Sequence, residues 1–175
     1  LTAYHEAGHA IVSKYLETQQ DVKEISIIPR GLAGGYTMYK SDEDKYYISK
    51  TEMEEKLSAL LGGRAAEQLV LDDISTGASN DIEVATKIAR DMVTKYGMSK
   101  TLGPIDFQGK EPYEMQIFGE DIGDKIGQEV KKLIDTAYND AQELLKQHRD
   151  KLDLIAQALL EKEKINEEDF KRFFS

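Results

Sequence analysis

Cysteine is absent from this chain of 175 residues, and histidine occurs three times. Without thiols the protein can form neither disulfides nor thiolate metal sites, so a metal ion would have to be held by His, Asp or Glu. Two of the three histidines lie four residues apart in the segment YHEAGHAIV at 4–12. That segment is therefore the first candidate for a metal site.

Three further absences exclude other classes of function. The formal net charge of −10 argues against a nucleic-acid partner, because phosphate binding needs clustered Lys and Arg. No run approaches the roughly 18 apolar residues of a membrane span, and the N-terminus lacks a signal-peptide layout, so we expect this fragment to be soluble. The glycine-rich phosphate loop of ATPases is missing as well, so we expect no ATP to bind to this fragment.

Hydrophobic spacing predicts a mainly α fold with one small β-hairpin or sheet element. Helical patterns cover residues 1–19, 49–71, 80–97 and most of the chain from residue 121 to the end. The stretch VKEISIIPRGLAGGYTMYK at 22–40 contains two short strands around a glycine-rich turn. Residues 98–120 are expected to be irregular, with LGPIDF at 102–107 as a short extended piece.

Local signals refine the second and third helices. Thr51 is the expected cap of the second helix, and Asn80 with Glu83 is typical of a capping box for the third. Gly62 and Gly63 interrupt the second helix at a cost of about 2 kcal/mol relative to alanine, so we expect either a close helix–helix contact or a kink there. The third helix is expected to bury a stripe of apolar residues, namely Ile82, Ala85, Ile88, Ala89, Met92 and Val93.

The two histidines of the opening segment have the spacing of a metal site. A helix puts residues four apart on one face, about 6 Å along the axis, so His5 and His9 can direct both imidazoles at one point. Glu6 is near enough to take the proton of a zinc-bound water and pass it to a leaving amine. This is the H-E-x-x-H arrangement of zinc metalloproteases. The competing interpretation is an amphipathic helix with two partly buried histidines.

A catalytic zinc needs a third protein ligand and an open position for water. His148 lies beside polar residues in the C-terminal region, where we expect it to be solvated. Two carboxylates are better candidates, Glu67 on the glycine-interrupted helix and Asp81 at a loop-to-helix junction. Glu67 could equally be a surface or helix-pair charge, and Asp81 could be a first-turn acid favoured by the helix dipole. Spacing alone does not decide between them.

Several long segments resemble, in the same order, the peptidase domain of the FtsH family of membrane-anchored, ATP-dependent zinc proteases. They run through essentially the whole chain: TAYHEAGHAIV (2–12), ISIIPRGLAGGYTMY (25–39), LLGGRAAEQLVL (60–71), STGASNDIEVATKIARDMVTKYGMSKTLGP (75–104) and LLEKEKI (159–165). The resemblance implies that His5, His9 and Asp81 hold one Zn²⁺ ion and that Glu6 activates water. Glu67 is then a candidate outer partner of a ligand.

The resemblance also implies the setting of the domain. It implies a zinc endopeptidase domain of a homo-hexameric protease, with an AAA+ ATPase module in the same polypeptide and with unfolded or membrane-extracted proteins as substrates. The full-length protein would be anchored in a membrane, with this domain on the cytoplasmic side or on the matrix or stroma side of an organelle. We therefore expect an excised single domain at 1–175, with a zinc-binding catalytic part at 1–104 and a C-terminal helical bundle at 105–175. The alternative is a non-catalytic helical module for oligomerisation or interaction.

The strand GYTMY has two interpretations. A strand edge exposed beside the zinc could pair with an extended peptide backbone, but an ordinary hairpin strand fits the residues as well. The resemblance favours substrate binding by this segment: Gly34, Gly35, Tyr36, Thr37 and Met38. Tyr46 and Tyr47 are expected to pack rather than to bind a ligand.

Overall fold

The computed structural model describes residues 1–31, 34–41, 47–109 and 112–175. Helices make up 63% of it and three short strands form one antiparallel sheet, which confirms the prediction of a mainly α fold with a small β element. In chain order the elements are α1 (Thr2–Lys14), β1 (Val22–Ser26), β2 (Tyr36–Tyr39), α2 (Lys50–Leu71), a 3-10 turn (Thr76–Ala78), α3 (Ser79–Thr94), α4 (Pro112–Gln116), α5 (Ile122–Gln147), α6 (Arg149–Lys162), β3 (Lys164–Asn166) and α7 (Glu167–Arg172).

The sheet has the order β2-β1-β3, so β2 is an edge strand. Ile25 in the central strand lies opposite Thr37 on one side and Ile165 on the other. The third strand was not predicted, because its residues follow directly on a helical pattern. Glu163 ends α6 in the left-handed conformation, with φ 66°, and this turn allows Ile165 to be buried against the sheet.

Helix α1 lies in the larger of two apolar clusters, between α2, α6 and the sheet. It crosses α2 with the two backbones in contact: a Cβ atom on Gly8 would lie 2.5 Å from the carbonyl oxygen of Gly62. Helix α2 continues without a break through its glycine pair. Of the two explanations for that pair, close helix contact is therefore the correct one.

The second apolar cluster joins the first half of α2 to α3 and to the middle of α5. Its buried members are Leu57, Leu61, Ala85, Ala89, Met92 and Ala137. Helix α5 contacts both α2 and α3, while α6 packs against α1. The long C-terminal helices thus pack against one side of α2 and α1. The opposite side of these two helices faces the cleft described below. None of the helices in the described ranges combines the length and the apolar character of a membrane span.

Four local predictions about the helices are wrong. Ser49, not Thr51, caps α2 by accepting the backbone N–H of Glu52 at 3.1 Å. Helix α3 begins one residue before Asn80 and has no side-chain cap, so there is no capping box. Ile82 does not join the buried stripe of α3, because it faces the solvent with 38% exposure. Helix α1 ends at Lys14 rather than near residue 19.

Three predictions about the connecting segments also need correction. The LGPIDF segment at 102–107 forms no strand, and the segment expected to be irregular contains the short helix α4. Tyr47 does not pack in the core, because 92% of its surface is exposed. Tyr46 lies outside the described residues.

Candidate metal centre

Three potential ligand atoms from two helices converge at one point. The Nε2 atoms of His5 and His9 are 3.2 Å apart, and the Oδ2 atom of Asp81 lies 3.4 Å from the first and 3.1 Å from the second. The histidines come from α1, and Asp81 lies in the first turn of α3. Within the described part of the chain, His5, His9 and Asp81 form the group of side chains that has metal-ligand spacing.

The outer nitrogen of each histidine is already used. His5 Nδ1 donates its hydrogen to Oε2 of Glu67 at 2.7 Å, and His9 Nδ1 donates to the carbonyl oxygen of Ala59 at 2.8 Å. Since neutral imidazole carries one hydrogen, both Nε2 atoms are then left as acceptors. While both imidazoles are neutral, two nitrogen lone pairs and a carboxylate oxygen face one another, and this arrangement is stable only when a proton or a metal cation lies between them.

The donor set and its dimensions fit Zn²⁺. Tetrahedral zinc with bonds of about 2.0–2.1 Å to nitrogen and oxygen has ligand atoms separated by about 3.3 Å, close to the three distances above. The hydrogen bonds from His5 and His9 to oxygen acceptors are the outer contacts that usually fix a zinc-binding imidazole. Three protein ligands leave a fourth position for water, which is the pattern of catalytic rather than structural zinc sites.

Ionisation at the cluster reflects the same convergence. Burial lowers the pKa of His5, but the hydrogen bonds to Asp81 and Glu67 act more strongly together and bring it to about 9. Burial raises the pKa of the Asp81 carboxyl, yet the hydrogen bonds from both histidines leave it well below its usual range. The cluster therefore holds a proton tightly where a divalent ion could bind, and Asp81 stays ionised.

Glu6 lies beside the cluster with a free carboxylate oxygen. Its side chain is 7% exposed, and its Oε2 atom has no hydrogen-bond partner among the described residues. Burial raises the pKa of this carboxyl above its usual value, although the nearby histidines oppose the shift. Leaving a buried acceptor without a donor costs about 1–3 kcal/mol. The Oε2 atom of Glu6 is therefore well placed to accept a proton.

The cleft above the cluster has a volume of about 880 Å³ and two walls. One wall is the edge strand and its approach, where Thr37 donates from Oγ1 to the backbone carbonyl of Glu6 at 3.0 Å. The other wall is formed by Lys56, Ala59 and Leu60 of α2. Of the residues predicted to bind substrate, the following four line the cleft, whereas Met38 does not: Gly34, Gly35, Tyr36 and Thr37.

The two alternative ligands occupy other places. Glu67 is fully buried, with 0% exposure, and contacts the outer nitrogen of His5 rather than the convergence point. His148 lies at the junction of α5 and α6, where its ring stacks on Tyr15 with centroids 3.6 Å apart, so it is partly covered rather than simply solvated.

Three residues around the site were missed by reasoning from the sequence. The carbonyl of Ala59 carries no side-chain signal at all. Ser75, which hydrogen-bonds Glu67, looks like an ordinary loop serine. Lys56 is the only lysine or arginine lining the described cleft, and it looks like one of many surface charges on an amphipathic helix. None of the three lies within one helical turn of a predicted ligand in the sequence, so spacing gives no signal for them.

Comparison with known proteins gives a consistent result. The sequence profile of Peptidase family M41 matches residues 1–173. The chain is 54% identical to the ATP-dependent zinc metalloprotease FtsH of Caldicellulosiruptor bescii, 52% identical to FtsH 1 of Thermoanaerobacter sp. and 47% identical to FtsH of Thermotoga maritima. These matches cover 98–100% of this chain but 29–30% of each relative. The chain thus spans about three tenths of the length of these curated relatives.

Proposed function

Because the chain belongs to peptidase family M41, we propose that it is the zinc-dependent endopeptidase domain of a membrane-anchored, ATP-dependent protease. One observation carries this proposal: three potential ligand atoms converge beside a buried carboxylate oxygen that has no partner among the described residues. A fold that only packed two histidines would satisfy that carboxylate oxygen with a donor, because buried polar atoms are normally hydrogen-bonded.

Each residue then has a defined task. His5 and His9 hold one Zn²⁺ ion through Nε2, and Asp81 holds it through Oδ2. When bound, the ion supplies Lewis-acid activation of water and of the substrate carbonyl. Glu6 accepts a proton from the attacking water at its free oxygen and delivers it to the amide nitrogen as the carbon–nitrogen bond breaks. Glu67 keeps His5 oriented by accepting its outer N–H.

The edge strand β2 is proposed to align the substrate. An extended peptide can add to the free edge of a sheet through backbone hydrogen bonds, which gives affinity with little dependence on sequence. The segment from Gly34 to Thr37 lines the cleft, and the bond from Thr37 to the backbone of Glu6 fixes β2 relative to α1. Met38 would contribute through its backbone.

The remaining parts of the proposal concern the whole protein. Its relatives are named ATP-dependent zinc metalloproteases, and each is more than three times as long as this chain. We propose that an AAA+ ATPase module lies in the same polypeptide and that the protein forms a homo-hexamer. We also propose that it is anchored in a membrane, with this domain on the cytoplasmic, matrix or stromal side. Unfolded or membrane-extracted polypeptides are the proposed substrates.

Metal content and a Glu6→Gln variant test the proposal. The purified chain should take up about one Zn²⁺, and the full-length enzyme with Glu6→Gln should keep its zinc while losing casein cleavage. Glu161→Gln, an exposed substitution on α6, serves as the control. If the chain neither holds nor takes up zinc, the alternative of a non-catalytic helical interaction module is favoured. If the Glu6→Gln enzyme remains active, Glu6 is not the proton acceptor.

A further inference from the structure

The carboxylate of Glu67 joins two parts of the site. Both of its oxygens are engaged: Oε2 accepts from His5 Nδ1 at 2.7 Å, and Oε1 accepts from the hydroxyl of Ser75. The side chain is completely buried. A buried carboxylate is stable only when its oxygens are hydrogen-bonded, so removing either donor is expected to disturb the other contact.

Ser75 connects this carboxylate to the segment that carries Asp81. Its Oγ atom donates to Glu67 and also accepts the backbone N–H of Gly77 at 3.1 Å. This second bond caps the 3-10 turn Thr76–Ala78, which leads directly into α3. Asp81 is the third residue of that helix, so the start of the turn determines where its carboxylate lies.

A continuous path therefore links the proposed ligands of the two helices. It runs from His5 through Glu67 to the hydroxyl of Ser75, and from there through the turn to Asp81. The hydrogen bonds given for the Ser75 hydroxyl go to Glu67 and to the backbone of Gly77, not to the ligand atoms. The histidine pair and the carboxylate belong to α1 and α3, which both contact α2, so a link through a residue of α2 can set their relative placement.

We propose that Ser75 is a positioning residue that sets the zinc affinity of the site by holding Glu67 and the turn before Asp81 in register. This inference rests on the zinc site of the proposed function. Hydrogen-bond partners behind metal ligands typically change metal affinity by about 10- to 100-fold when they are removed. Loss of the Ser75 hydroxyl acts on a histidine ligand and on the carboxylate ligand together, so we expect an effect of that size.

The test compares zinc dissociation constants, measured by competition with a chromophoric chelator. Ser75→Val should weaken zinc binding by about 10- to 100-fold, whereas Ser75→Thr, which has nearly the same shape and keeps the hydroxyl, should stay close to wild type. The backbone of residue 75 is extended, with φ −124° and ψ 176°, and suits both branched side chains. Ser99→Val is the matched control, because this serine likewise donates to a carboxylate, that of Glu129, and accepts a backbone N–H, that of Leu102 at 3.1 Å, but does not line the cleft.

Thermal melting of the metal-free variants separates positioning from folding. We expect a single cooperative transition for every variant, with a lower melting temperature for Ser75→Val and Ser99→Val because a carboxylate loses a donor in each. If Ser75→Val fails to fold while Ser99→Val folds, Ser75 is a residue of the fold and the proposal is wrong. Equal zinc affinity in Ser75→Val and Ser75→Thr, or an equal loss in Ser99→Val, also overturns it.

A double-mutant comparison tests the route through the carboxylate. In a Glu67→Gln background, Ser75→Val should weaken zinc binding clearly less than in the wild-type background, because the two residues act in part as one unit. The same loss in both backgrounds contradicts the route. A chain that binds no zinc at all would contradict the proposed function itself, while normal zinc binding that ignores Ser75 would contradict this inference alone.

Discussion

Replacing Gly63 by alanine should separate the two roles of helix α2, which packs in the core and also forms one side of the metal site. A Cβ atom at this position would lie 2.5 Å from both Cε1 and Nε2 of His5 and 2.7 Å from its Cδ2. Ordinary contacts between such atoms begin near 3.5 Å, so the imidazole would have to retreat by about 1 Å. The ring can move without unfolding the helix, but it then leaves the point where the three ligand atoms meet.

The expected change is small for stability and large for metal affinity. Alanine improves the helix by about 1 kcal/mol over glycine, which offsets much of the cost of moving the ring. The metal-free variant should therefore stay within about 1 kcal/mol of wild type. Metal–ligand distances tolerate about 0.2 Å, and a displacement of about 1 Å is far beyond this. Zinc affinity should fall at least about tenfold, or about 1.4 kcal/mol.

Chelator competition and chemical unfolding measure the two quantities on the same samples. The control is Gly127→Ala on α5, where an added Cβ meets no atom within 4 Å. That variant should be stabilised by about 0.5–1 kcal/mol, and its zinc affinity should not change. The reasoning is refuted if Gly63→Ala binds zinc as tightly as wild type, since the ring would then have room that the structure does not show.

Four other perturbations test separate parts of the structure. Asp81→Asn should lower zinc affinity by at least about tenfold, while Asp106→Asn should not; stronger loss in a Glu67→Asn variant would mean that the wrong carboxylate has been assigned. Gly8→Ala should destabilise the fold by about 1–3 kcal/mol in urea unfolding, because the obstacle is a backbone carbonyl; a stabilised variant would exclude the backbone contact. Removing zinc with a chelator should lower the unfolding free energy, by about 2.7 kcal/mol when the free ion had been at 100 times its dissociation constant; an unchanged melting curve would argue against a bound ion. Lys56→Glu should shift the ratio of kcat/KM for matched acidic and basic peptides severalfold toward the basic one, and an unchanged ratio would show that substrate side chains do not reach this wall of the cleft.

The spacing of residues predicts the histidine half of the site well. Residues four apart in a helix must share a face, and both Nε2 atoms do meet at one point. The glycine pair in α2 was also informative. Glycine lowers the stability of a helix, and here the contact with Gly8 explains why it is present. Both inferences depend on local geometry within single helices, which the sequence determines strongly.

The carboxylate half could not be predicted from spacing. Glu67 and Asp81 were both acceptable, since choosing between them requires the angle at which α2 and α3 approach α1. That angle depends on contacts between distant segments, and the turn before α3 contributes through one serine. The same limitation explains the missed strand β3: Ile165 pairs with Ile25, a residue 140 positions earlier. A pattern within a window of ten to twenty residues carries no information about such a partner.

The capping errors show how neighbouring candidates mislead. Ser49 and Thr51 are both good caps, and Ser49 with Glu52 three residues later is the better match to a capping box. At α3 the turn Thr76–Ala78 leads straight into the helix, so Ala78 occupies the cap position and Asn80 falls inside the first turn. A turn that runs directly into a helix already gives the backbone the direction of that helix. A side-chain cap is then not needed to start it.

The proposed ligands are therefore held in place in two different ways. The histidines are fixed at the level of the backbone, because α1 contacts α2 directly at Gly62, and the carbonyl of Ala59 accepts from His9. Asp81 depends instead on a short turn whose start is tied to the core through side-chain hydrogen bonds. Side-chain links are weaker and more easily exchanged than a backbone contact between two packed helices. Changes in the sequence around the turn should consequently alter metal affinity at smaller cost in stability than changes along the contact of α1 with α2.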